Sequence, residues 1–69
     1  MTEHTYRVIE LVGSSAISHA DAIENAVARA AKTMRHLRWL EVIQQRAEVH
    51  DGKIQHYQVT MKVGFTLED

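Results

Sequence analysis

Trp39, Arg46 and Gln58 are the side chains of this 69-residue chain best suited to holding a small molecule. The indole of Trp39 offers a flat π surface and one N–H donor, which suits stacking on a planar ring. The amide of Gln58 provides a donor and an acceptor together, matching the mixed edge of a heteroaromatic ring. The guanidinium of Arg46 could grip a phosphate in bidentate fashion. Each also has a plainer use, since Trp anchors subunit interfaces and Gln is common on solvated strand faces. The residues alone leave both uses of Trp39 open.

Other chemistries are poorly served. The chain has no cysteine, which removes disulfides, thiolate zinc sites and thiol catalysis. No serine sits in a nucleophile-elbow context, and Glu10, Glu41, Glu48 and Asp51 share no evident pocket, so no catalytic residue is expected and the chain does not read as an enzyme. His4, His19, His36, His50 and His56 include no pair at the i, i+4 spacing of a helical zinc site, and no metal is expected. The formal net charge is −1, with both signs interspersed, which gives no field to draw in nucleic acid or an anionic membrane. Met1-Thr2-Glu3-His4-Thr5 lacks a basic stretch followed by an apolar one, and no run is long enough to span a bilayer, so a cytoplasmic protein is expected.

The element that positions the candidate residues is a hairpin. Asp51-Gly52 is the two-residue signature of a type I′ turn, with Trp39 to His50 as the strand before it and Lys53 to Leu67 as the strand after. A regular register from that turn opposes Leu40 with Val63, Val42 with Met61 and Gln44 with Val59 on one face. On the other it opposes Trp39 with Gly64, Glu41 with Lys62, Ile43 with Thr60 and Gln45 with Gln58. Glu41 and Lys62 suit a cross-strand ion pair, and Gly64 leaves one side of the indole unobstructed. Arg46 falls on the apolar side, opposite Tyr57, unless a bulge re-aims it or the sheet outruns its cover there.

Upstream, Tyr6 to Val12, rich in β-branched residues, predicts a first strand, and Gly13-Ser14-Ser15 breaks it. Ser18 followed by Asp21 is a short-armed capping box that starts a helix near His19. Ile23, Val27, Ala30, Met34 and Leu37 form one apolar stripe for that helix to lay on the sheet, and its alanines allow close approach. The fold class is α+β: a strand-helix-strand-strand protomer in a single domain, residues 1–69, with a three-stranded antiparallel sheet in order 1-3-2 packed on one helix. The helix is expected over Leu40, Val42, Tyr57, Val59, Met61, Val63 and Phe65. Two sheet edges and one face stay open, and a chain this small with no disulfide or metal needs partner subunits.

Taken together, Tyr6-Arg7-Val8-Ile9-Glu10-Leu11-Val12-Gly13-Ser14-Ser15, Ala22-Ile23, Ala28-Arg29-Ala30, Trp39-Leu40-Glu41-Val42, Tyr57-Gln58-Val59 and Val63-Gly64-Phe65-Thr66-Leu67-Glu68 resemble the dodecins nearly end to end. The resemblance implies a hollow homododecamer in which flavins bind in pairs, stacked between tryptophans of neighbouring subunits. It makes Trp39 the stacking indole, places Gln58 on the polar edge of the isoalloxazine, and puts Arg46 near the ligand tail. The implied cofactor is FMN, with riboflavin or FAD as variants. Coenzyme A is also associated with some members, but no local motif assigns it here. The implied role is flavin storage and quenching of flavin photochemistry. The alternative is a shell or interaction protein of the same fold without useful flavin affinity. Arg38, Leu40 and Thr66 depart from the Asp, Phe and Arg of many bacterial members, and they bear on affinity and assembly more than on fold.

Overall fold

A computed structural model of the chain describes residues 3–67; Met1, Thr2, Glu68 and Asp69 lie outside them, and with them the ends of the N-terminal and closing stretches quoted above. The elements are β1 (Tyr6–Ser15), α1 (His19–Ala30), β2 (Leu37–His50) and β3 (Lys53–Thr66). They form one sheet in order β1-β3-β2, antiparallel at both seams, as the connectivity requires. Asp51 and Gly52 join β2 to β3 with φ of 51° and 74°, the pair of positive values that a type I′ turn needs. Asp tolerates that region better than most side chains, and Gly enters it at no steric cost.

The register departs from the regular one in the middle of the hairpin. Leu40 faces Val63, Val42 faces Met61, Trp39 faces Gly64 and Glu41 faces Lys62, as expected. Between Val42 and Gln44 the ladder slips by one, leaving Ile43 as the extra residue of a bulge. Gln44 therefore faces Thr60 instead of Val59, Gln45 faces Val59 instead of Gln58, and Arg46 faces Gln58 instead of Tyr57. A second slip, between Glu48 and Val49, leaves Gln55 as the extra residue on β3 and restores the two-residue turn. Because side chains alternate strictly along a strand, the Ile43 bulge moves Arg46 from the helix side of the sheet to the open side. A charge that would have been costly against the core is thereby placed in a polar environment.

β1 runs on through Gly13, Ser14 and Ser15, which were expected to break it. Gly13 is part of the strand because the helix passes directly over it: a Cβ there would collide with the Ala22 carbonyl and lie 3.0 Å from the Ala26 Cβ. Ser18 caps α1, its hydroxyl accepting the Asp21 N–H at 3.0 Å, an interaction typically worth about 1 kcal/mol. The Asp21 carboxylate takes the Ser15 hydroxyl at 2.6 Å, tying the end of β1 to the start of α1. The helix ends at Ala30, earlier than its apolar stripe predicts. Lys32 N–H and Thr33 N–H reach back three residues to Arg29 and Ala30, and the chain then turns through His36 at φ 64°. Met34 therefore lies beyond the helix and Leu37 opens β2.

The core is Ala22, Val59, Met61 and Val63, with Ile9, Leu11, Ile23, Ala26, Val27 and Leu37 packed around it. Full burial of a Val or Met side chain contributes about 1.5–3 kcal/mol. The 12-residue helix lies mainly over β1 and β3; it touches the 14-residue β2 through His19 but does not cover Leu40 and Val42 as expected. Leu40, Val42 and Ile43 remain 37%, 39% and 48% exposed. The protomer measures 54 × 21 × 14 Å, so much of the hairpin extends past its cover.

Replacing Gly13 with Ala should force strand and helix apart at a cost of about 1–3 kcal/mol, lowering the thermal midpoint by several degrees. Circular dichroism melts of the two proteins check this; an unchanged midpoint would mean that the close approach is not constraining.

Candidate functional site

Trp39 lies at the β2 position facing Gly64. A Cβ on Gly64 would fall onto the six-membered ring of the indole, at Cε2 and Cζ2, so the ring lies flat on the β3 backbone. This requirement for a residue without a side chain is steric, because Gly64 has no positive φ. Tyr6 braces the indole from β1, with centroids 6.0 Å apart and planes inclined at 60°, within the range of favourable aromatic pairs. Trp39 is 41% exposed, held in place on one side and open on the other. A small apolar groove of about 170 Å³, lined by Val27, Leu37, Leu40 and Val63, opens beside it toward the helix.

Farther along the same face, the Ile43 bulge brings Arg46 opposite Gln58. Arg46 Nε donates to Gln58 Oε1 at 3.0 Å, and Nη1 donates to Thr60 Oγ1 at 2.9 Å and, at a longer 3.4 Å, to Gln44 Oε1. Two terminal N–H groups, on Nη2, have no such partner within the cluster. From the other side of the sheet, His19 at the start of α1 approaches the backbone carbonyl of Arg46, Nε2 to O, at 2.9 Å. A carbonyl only accepts, so Nε2 carries the proton. The His19 ring also meets Tyr57 edge-on at 5.0 Å, which ties the bulged segment to the helix.

The structure thus brings Arg46 and Gln58 together, and sets Trp39 on the same face but apart from them. Gln58 and the residue facing Trp39 are six positions apart on β3, about 20 Å at the usual strand rise. No planar ring of ordinary size could touch both within one chain. Sequence reasoning missed Thr60 and Gln44 as supports of the guanidinium, and Tyr6 as the brace of the indole. Thr60 and Tyr6 could have been found from the polar face and the strand order. Gln44 could not, because a regular register puts it on the wrong side.

Among the described residues, no group of three or more His, Cys, Asp or Glu side chains could hold a metal ion, and no helix is long and apolar enough to cross a membrane. The fold and the site define a small strand-helix-strand-strand protein that displays a braced indole and a polar cluster on an uncovered sheet face. The dodecin family model matches residues 5–68. A dodecin of Thermus thermophilus is 45% identical over 64 residues, 93% of each chain. The structure of a Streptomyces coelicolor dodecin superposes with a TM-score of 0.94 at 49% identity, covering 100% of this chain and 99% of that one. A calcium dodecin of Mycobacterium tuberculosis, described as calcium chelating with a novel calcium-binding site, superposes with a TM-score of 0.82 at 34% identity, covering 93% and 91%. The chain belongs to the dodecin family.

Gly64→Ala should lift the indole off β3 and shift Trp39 emission to longer wavelength, since Trp39 is the only tryptophan in the chain. An unshifted spectrum would show that the ring does not lie on the strand.

Proposed function

We propose that this protein binds flavin, FMN or riboflavin, and stores it in stacked pairs between tryptophans of neighbouring copies in a hollow homododecamer. The observation that carries the reading is the indole of Trp39, laid flat on Gly64, braced by Tyr6 and 41% exposed on the uncovered face. That posture offers one π face to a planar ring and commits the other to the protein. The separation of Trp39 from Arg46 and Gln58 fits a site assembled from two copies, in which the indole of one and the polar cluster of the other meet the same ligand. Gln58 then lies at the polar edge of the isoalloxazine, and the terminal Nη2 of Arg46 is left to face the ligand tail and its phosphate.

Stacking supplies a mechanism that needs no catalytic residue, so the protein works as a binding and storage protein and not as an enzyme. An electron-rich indole in contact with excited flavin transfers an electron and takes it back before reactive products escape. The exposed Leu40, Val42 and Ile43 favour a second reading, in which Trp39 serves only as interface packing in a shell without flavin affinity.

Titrating FMN and riboflavin with the ligand-stripped protein should extinguish flavin fluorescence with a stoichiometry near one flavin per chain. Trp39→Ala should abolish that quenching while size-exclusion chromatography shows the assembly largely intact. Absence of quenching at micromolar wild-type protein, or loss of assembly in Trp39→Ala, would favour the packing role.

A further inference from the structure

We infer that Ile17 is a knob by which each copy of this chain seats itself in the apolar groove beside Trp39 of the next copy, a head-to-tail contact on the helix side of the sheet. The contact is separate from the flavin reading and does not rest on it.

Ile17, in the bend between β1 and α1, is 74% exposed, more than any other large apolar side chain among the described residues. A single exposed apolar residue is ordinary. This one is held out by its neighbours. Its N–H donates to Ser15 Oγ at 2.9 Å, the Ser15 hydroxyl donates in turn to Asp21, and Ser18, the next residue, caps the helix. As the residue before the cap, Ile17 would ordinarily fold back as a hydrophobic staple on the fourth residue of the helix. That residue is Ala22, which is already fully buried over Gly13, and Ile17 stays in solvent. The backbone on both sides of Ile17 is fixed, and a β-branched side chain has few rotamers to lose, so the anchor is preorganised.

The groove is its counterpart. It offers about 170 Å³ lined by Val27, Leu37, Arg38, Trp39, Leu40 and Val63, and an apolar space of about that size takes a benzene-sized guest. The branched side chain of Ile17 is no larger than that. A chain cannot fill its own groove with it, because Val27 lies ten residues on from Ile17, about 15 Å at the rise of a helix. Charge agrees with the pairing. Arg38, on the groove wall, has no hydrogen bond or ion pair among the described residues, and the acidic residues that follow Ile17 are Asp21 and Glu24. Knob and groove are different surfaces of one chain, and contacts of that kind close into rings. A twofold contact across the open sheet face joins only two copies, so a shell of twelve needs a further contact such as this one.

The test is the size of the flavin-free, full-length protein by sedimentation velocity. Ile17→Asp should remove the assembly at micromolar protein and leave species no larger than a pair, with the helix and strand signals of circular dichroism retained. Ile17→Ala should raise the concentration at which the assembly falls apart by on the order of tenfold or more, and Ile17→Leu should leave it within about threefold of wild type. The chain has no cysteine, so Ile17→Cys with Leu40→Cys in one chain introduces a unique pair of thiols. A short bismaleimide should then yield a ladder of linked chains beyond the dimer on a denaturing gel, while either substitution alone leaves single chains.

An Ile17→Asp protein that assembles as wild type does would overturn the inference and assign Ile17 to a partner other than this chain. So would wild-type protein that stays a monomer, or a doubly substituted chain that gives no ladder. If Ile17→Asp fails to fold, the crosslinking decides. None of these measurements uses flavin, so the flavin reading can fail while this contact stands.

Discussion

The constraint on which the rest of this molecule depends is that one 12-residue helix has to cover a sheet whose two longest strands run to 14 residues. It cannot, and the uncovered surface is where the chain's distinctive residues lie. Close approach over Gly13 sets α1 tightly on β1 and β3, giving a small, dense core around Met61. The same closeness leaves most of β2 outside the shadow of the helix. A two-stranded ribbon is marginally stable alone in water, so the far part of the hairpin needs neighbouring chains as much as its own fold.

Within that surface, two kinds of steric fit have to coexist. Gly64 must be bare so that Trp39 can lie down, and Ile43 must be an extra residue so that Arg46 can turn outward. The first is a local relation between facing residues. The second is a change of phase that acts on every residue from Gln44 to Glu48. The two also produce different kinds of rigidity. The indole is confined by a backbone and a tyrosine ring, which constrain its plane. The guanidinium is confined by directed hydrogen bonds, which constrain its orientation and that of its partners.

Much of this was legible in the residues. The Asp51-Gly52 turn, the Ser18 cap and the strand order followed from turn chemistry, capping chemistry and connectivity, which are local or topological rules. Trp39 opposite Gly64 followed from the same register. The bulges were not legible, because Val42, Ile43 and Gln44 have no composition that distinguishes a bulged strand from a regular one. The end of α1 was not legible either. Its apolar spacing continues through Met34 and Leu37, no Gly or Pro marks a stop, and the reversal falls at His36, a residue with only a modest tendency to positive φ. The reach of the helix across the sheet was overestimated for a related reason: a stripe shows which face of a helix is buried, but not how many strands it can shade.

The paired bulges have a consequence for how such a chain can vary. The extra residue at Ile43 is offset by the extra residue at Gln55, so that the strands leave the turn and reach Trp39 in the same phase. Substitution within the segment alters one side chain at a time. Deleting a single residue on the turn side of Arg46, such as Ala47, would instead absorb the Ile43 bulge and roll Gln44 to Arg46 over by one step, sending Arg46 toward Tyr57 and Gln45 toward the open face. The hairpin is thus tolerant in composition and intolerant in length, the reverse of an ordinary surface loop. Descendants of this sequence can change what the face carries far more readily than they can change how many residues carry it.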